Sequence, residues 1–183
     1  MKERLSRETL LELYELLSVP MTDFDCGELC APLNEGIPIC CDRKRTIPIL
    51  FKDELRWHRG GRFWKKSGCR SRDEREIAEE IDDIYEVARC PGPGACDRNK
   101  RALVCRFFPL EPYVDSQGNI LTLRFNNDEG HECPLADMGI SVFRQEYLRN
   151  AEIVWENILR IYPEERELYI EQSEKYPESG KTK

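Results

Sequence analysis

The chain has no apolar run approaching the 18 or so residues that a membrane span requires. It has no surplus of positive charge either: 28 Lys and Arg stand against 35 Asp and Glu, a net charge of −7. That balance argues against nucleic acid as the main partner, because such binding depends on a basic surface displacing counterions. The local exceptions, CDRKR at 41–45 and RWHRGGRFWKKSGCRSR at 56–72, read as solvated loops, the second beside core aromatics. No glycine-rich strand-to-helix turn is present to cradle a nucleotide's phosphates. No carboxylate pair is placed for acid–base work, since Asp82 and Asp83 fall on a helical pattern whose opposite face is apolar. The opening stretch, MKERLSRETLLELYELLSVP, mixes charges among its apolar residues and lacks a small-residue cleavage site, so no secretory leader is read there. A cytoplasmic protein with reduced thiols is expected. Repeats and low-complexity tracts are also missing.

Cysteine, by contrast, is abundant. Nine are present, and the segment CGELCAPLNEGIPICC holds Cys26, Cys30, Cys40 and Cys41. An odd count in a reducing compartment argues against a disulfide framework. The 183 residues suffice to bury a core without staples. Thiolates ligate zinc and iron–sulfur clusters, and turns aim them inward. Gly27 gives the first pair room, and Pro32, Gly36 and Pro38 bend the chain back toward Cys40. The adjacent Cys40 and Cys41 are awkward for one tetrahedral ion and better suited to two centres, or to one ligand and one supporting thiol. Downstream, Cys90 and Cys96 flank CPGPGAC, Cys105 precedes RFFP, and Cys133 precedes Pro134. The two Cys-Pro steps fit cluster ligation. Cys69 reads as a bystander. His131, two residues before Cys133, and His58 are the only histidines; a lone loop histidine more often hydrogen-bonds locally than ligates.

Around these loops the sequence predicts modest secondary structure. Ser6 caps a helix carrying Leu10, Leu13, Tyr14 and Leu17, closed by Pro20. RTIPILF at 45–51 is at best an edge strand because of Pro48. Residues 52–70 are ambiguous. Ser71 and Glu74 form a capping box opening a helix whose stripe is Ile77, Ile81, Ile84, Tyr85 and Ala88. RALVCRFFPLEPYV reads as extended, DSQGN as a turn and ILTLRF as the returning strand, with NNDEGHECPLADMG a loop. A long helix is predicted over 141–162. Its apolar face comprises Val142, Tyr147, Leu148, Ala151, Val154, Ile158 and Ile161. A more polar helix over 164–176 is expected to add little stability, and the tail ESGKTK reads as disordered.

The combination CGELC…CC, CPGPGAC, RALVCRFFP and GHECPL resembles the family of zinc- or iron-chelating domains, cysteine-cluster proteins also labelled Fe–S oxidoreductases. Flagellin lysine methylases carry a related motif. The resemblance covers roughly residues 24–135. It implies ligands at Cys26, Cys30, Cys40 and Cys41, at the spaced pair Cys90 and Cys96, at Cys105 of a Cys-Arg-x-x-Pro element with Arg106 and Pro109, and at Cys133. The gap from Cys30 to Cys40 is longer than the family's, and DRNKRAL replaces its usual Tyr and Arg-Pro.

These observations lead to an α+β, helix-rich single domain with a small β-hairpin and metal-organised cysteine loops. The divisions expected are 1–23 as an N-terminal helix, 24–135 as the metal-binding domain and 136–183 as C-terminal helices and tail. The function expected is cysteine-ligated metal binding, structural or redox, with an iron–sulfur cluster slightly favoured over zinc and no membrane partner. Whether the chain is an enzyme stays open: a redox enzyme, a lysine-methylase relative and a metal delivery or storage protein are the alternatives.

Overall fold

The computed structural model describes residues 4–58, 61, 63–126 and 133–177. These belong to two compact units, one holding 5–14 and 25–106, the other 15–24 and the chain from 107 on. Both mix helices with small antiparallel sheets, so the chain is α+β and helix-rich. Among the described residues no helix is long and apolar enough to cross a membrane.

The first unit begins with most of α1 (Arg7–Leu16), where Ser6 Oγ accepts from the backbone N–H of Thr9 at 3.1 Å. Leu10 and Leu13 are the buried face. The cysteine segment follows as α2 (Gly27–Cys30) and two 3₁₀ turns, Ala31–Leu33 and Ile39–Cys41. It is thus more regular than a plain loop. A three-stranded antiparallel sheet has β1 (Ile49–Phe51) at one edge, as Pro48 requires, and β2 (Lys65–Lys66) at the other. Between these strands run α3 (Lys52–Trp57) and, after β2, α4 (Arg72–Glu80).

The central strand is β3 (Tyr85–Arg89), and here the expected helix stops short. Alpha-helical geometry ends at Glu80, Ile81 is extended, and Tyr85 N–H bonds back to Asp82 O in a turn. Ile84, Tyr85 and Ala88 therefore do not share a helical stripe with Ile77. The segment YEVAR buries Val87 and Ala88 between two strands, and Phe51 stacks on its cross-strand partner Tyr85 at 5.1 Å. Tertiary pairing outweighs the helical pattern, and Asp82 and Asp83 become an exposed turn. The small core comprises Leu50, Leu55, Trp64, Ala88 and Ala102, with Phe63, Cys90 and Cys105 packed on it. The start of the expected extended run is instead α5 (Leu103–Phe107), because the buried Glu54 carboxylate accepts the N–H of Leu103 at 2.8 Å and holds the helix start.

The second unit contains the hairpin as expected: β4 (Leu110–Val114) pairs with β5 (Ile120–Phe125). Asp115 builds the turn, its carboxylate accepting from the N–H groups of Gln117 and Asn119, with Gly118 at φ +80°. Part of the segment expected as a loop is α6 (Pro134–Met138), with Pro134 in the first turn. Next, α7 (Gln145–Ile161) buries Tyr147, Ala151, Val154, Trp155, Ile158, Leu159 and Ile161. The expected helix starts later because Ile140–Val142 is a separate 3₁₀ turn. Finally, α8 (Pro163–Lys175) does more than its polarity suggested: Ser173 Oγ accepts the N–H of Val114 at 3.0 Å, and both Ser173 and Glu165 are buried. His131 and the tail ESGKTK lie outside the described residues.

Candidate metal centre

Seven of the eight expected ligands are carried by the first unit, and short elements aim each one. Cys26 and Cys30 bracket α2, whose first turn is fixed by Asp25 Oδ1 accepting from Gly27 N–H at 3.0 Å. Gly27 has little spare room: a Cβ there would lie 3.2 Å from that oxygen and 3.3 Å from Pro38 Cγ. Pro38 precedes the 3₁₀ turn bearing Cys40 and Cys41. Asp42 closes this turn by accepting from Asn34 Nδ2 and Lys44 N–H. Arg43 then reaches across to donate to the Cys90 carbonyl at 2.5 Å. Arg98, after the Cys90–Cys96 loop, pairs with Asp25. Two arginines thus tie the early cysteine segment to the later one.

Charge shows the gathering. The Arg101 guanidinium is half-buried, and burial alone would lower its basicity. Its hydrogen bond with Cys96 and its closeness to Cys41 outweigh that and raise it. Cys40 is within electrostatic reach of Cys41, Cys26 and Cys30, and Cys105 of Cys41 and Cys90. Arg101 thus lies near Cys96, Cys41, Cys105 and Cys26. None of the nine cysteines is in a disulfide. Cys69 sits in the turn before α4 with φ +46°. Cys133 belongs to the other unit, where its carbonyl accepts the N–H of Ala136.

The thiols are not equivalent. Cys40 and Cys41 have their sulfurs 4.0 Å apart. Their hydrogen bond raises Cys40 and lowers Cys41 to about 6, with Arg101 and Arg98 assisting the latter. Burial pushes Cys105 up to about 12, and it raises Cys26 as well, with Asp25 adding to that effect. Among the described residues no three Cys, His, Asp or Glu side chains meet closely enough to hold an ion as they stand. The donors nevertheless suit a thiophilic metal. They are all sulfur, they sit at turns and short-element ends, and arginines stand by to offset thiolate charge.

Sequence reading missed the residues around the thiols. Arg101 and Arg98 lie in DRNKRAL, Arg43 in CDRKR. Those basic runs were the available signal, because a cationic turn beside cysteines lowers thiol pKa. A second polar group has no such signal. Tyr14 O–H donates to Glu54 Oε1 at 2.6 Å, His58 Nε2 lies 2.8 Å from the same hydroxyl, and Arg106 covers the Tyr14 ring at 4.5 Å. Burial raises Glu54 to about 7 despite these hydrogen bonds. Compared with known proteins, the chain matches no family model, no curated protein and no solved structure.

Proposed function

We propose that the chain binds a metal through cysteine thiolates, in a structural or redox role, with an iron–sulfur cluster favoured slightly over zinc. The ligands are drawn from Cys26, Cys30, Cys40, Cys41, Cys90, Cys96 and Cys105, with Cys133 as the eighth. The observation that carries this reading is that the early and late cysteine segments are tied together, by Arg43 donating to the Cys90 carbonyl and by the Arg98–Asp25 ion pair. The resemblance of the cysteine motif to zinc- or iron-chelating domains supports it on sequence grounds. A bound cluster supplies one-electron chemistry, and zinc supplies folding energy; the protein's part is to present thiolates and balance their charge. Metal delivery is the second reading, favoured by the exposure of Cys40.

Anaerobic purification followed by metal analysis and visible spectroscopy tests the reading. A brown protein with broad absorbance near ~400 nm, as expected for thiolate-bound iron–sulfur centres, marks the cluster; a colourless one with stoichiometric zinc marks the other metal. Cys26→Ser, Cys41→Ser and Cys105→Ser are each expected to lower metal content, whereas Cys69→Ser is not. Protein that purifies without metal and takes up neither iron nor zinc overturns the reading.

A further inference from the structure

A cavity of about 540 Å³ opens in the first unit, walled by Trp57, His58, Phe63, Trp64 and Lys100. Pro91 and Ala95 of the Cys90–Cys96 loop complete it with Gly61. The volume is in the range of small-molecule sites, which combine apolar walls with a few placed polar groups. Both kinds of group are here.

The walls are fixed aromatic rings. Phe63 and Trp64 meet edge to face at 5.7 Å. Trp64 is buried, and its Nε1–H donates to the Lys100 carbonyl at 2.8 Å. Trp57 is 45% exposed, yet its indole is held by Nε1–H donating to Leu5 O at 3.3 Å. An exposed indole that is bonded in place offers a flat surface at low entropic cost.

The polar group is His58. Tyr14 gives its own proton to Glu54, so its oxygen receives one from His58 Nε2–H. The ring's second nitrogen, Nδ1, is then an acceptor. Glu54 is 1% exposed and also accepts from Leu103 N–H, so the far end of this relay is pinned. Burial, with help from the Arg106 charge, lowers the basicity of His58. The Arg106 charge beyond His58 counts against a cationic guest, whereas the Lys100 ammonium at the wall is paired with Asp97 at 2.9 Å. The rings are therefore stacking surfaces and not a cage for an ammonium group.

We propose that this cavity binds a neutral or anionic planar nitrogen heterocycle of the nucleobase type, stacked on the exposed Trp57 indole beside Phe63 and donating an N–H to His58 Nδ1. The inference stands whether or not the thiols hold a metal. It also gives the aromatic–basic segment at 56–72 a use that a solvated loop lacks.

The test uses the full chain with adenosine, AMP and choline as probes, read by tryptophan fluorescence and by NMR of the indole N–H groups. Adenosine and AMP are expected to quench saturably and to shift the Trp57 and Trp64 signals, with choline silent. Trp57→Ala is expected to weaken adenosine binding about tenfold, the scale of one lost base–aromatic stack, while Trp57→Phe keeps affinity within about threefold because a stacking ring remains. His58→Phe, which keeps a ring and removes the acceptor, is expected to weaken adenosine as well. The proposal is overturned if neither adenosine nor AMP gives a saturable response, if choline alone binds, or if folded Trp57→Ala binds adenosine as well as the parent. Should Trp57→Ala not fold, the indole shifts and Trp57→Phe decide in its place.

Discussion

The two units solve the problem of holding a chain together in different ways. In the unit from residue 107 on, α7 packs a continuous apolar face: Ala151, Val154 and Ile158 are fully buried, and Trp155 stacks on Phe107 at 4.3 Å. Arg124, buried there, pairs with its cross-strand partner Glu111 at 2.9 Å. The cysteine-bearing unit also buries apolar side chains, among them Leu10, Leu13, Leu50, Phe51, Trp64, Val87 and Leu103. Much of the rest is ionisable: Glu54, Tyr14, His58, Arg101 and the thiols. The difference between the units lies in how many ionisable groups accompany the apolar side chains.

The largest expected effect exploits that contrast. Structural metal in small domains contributes about 10–16 kcal/mol of apparent binding energy at neutral pH. Stripping metal with a strong chelator should therefore remove hydrogen-exchange protection from residues 25–106 while β4, β5, α7 and α8 keep theirs. Equal loss in both units, or none in either, would break the comparison.

The converse experiment comes next in size. Ile158 is fully buried in α7, and Ile158→Ala should cost about 2–5 kcal/mol, through lost burial plus the cavity left behind. Thermal melting should drop for the second unit, and metal content per folded molecule should stay constant. A fall in metal content would show that the units are not independent.

A smaller effect belongs to Glu54. Its carboxyl is held up to about 7, mainly by burial, from an ordinary value of 4.5. The folded state then binds more protons than the unfolded state between those values. Stability of the first unit should fall as pH rises from about 4.5 to about 7 and level off above, by the linkage of proton binding to folding. Glu54→Gln should flatten that slope in melting curves; an unchanged slope would assign it to other groups.

What the sequence made legible follows from how local each signal was. The hairpin at 110–125 was readable because DSQGN carries its own turn chemistry, Asp115 bonding its neighbours. The apolar face of α7 was readable because seventeen residues give a period time to show. By contrast, β3 was misread because Ile81, Ile84, Tyr85 and Ala88 match a helical spacing by chance, and only pairing with β1 and β2 reveals the strand. The role of α8 was hidden for a similar reason: its buried groups are Ser173 and Glu165, polar residues that no hydropathy pattern marks. At the candidate site the cysteines were visible by type and spacing. Arg101 was not, because a charge among thiols means something only once the loops are brought together.

The smallest effect tests the capping box of α4, where sequence signal and geometry agree. Ser71 Oγ accepts from Glu74 N–H at 3.1 Å, while Glu74 Oε2 accepts from Ser71 N–H at 3.3 Å. Glu74 is shared: Arg89 of β3 reaches Oε2 at 2.7 Å, and Ser67 Oγ donates to Oε1 at 2.9 Å. With Arg89 as the main cause, the carboxyl is held down at about 2. Ser71→Ala removes only the cap bond and should cost about 1 kcal/mol, as N-cap losses do. The Arg89 contact survives that change, so the acid limb of the melting profile should keep its shape, with stability still lost as pH falls from the ordinary carboxylate range toward 2. Glu74→Gln should reshape that limb, since the ionised partner of Arg89 is gone. If Ser71→Ala alters the acid limb as much as Glu74→Gln does, the cap and the ion pair are one cooperative element, and α4 docks on β3 through both together.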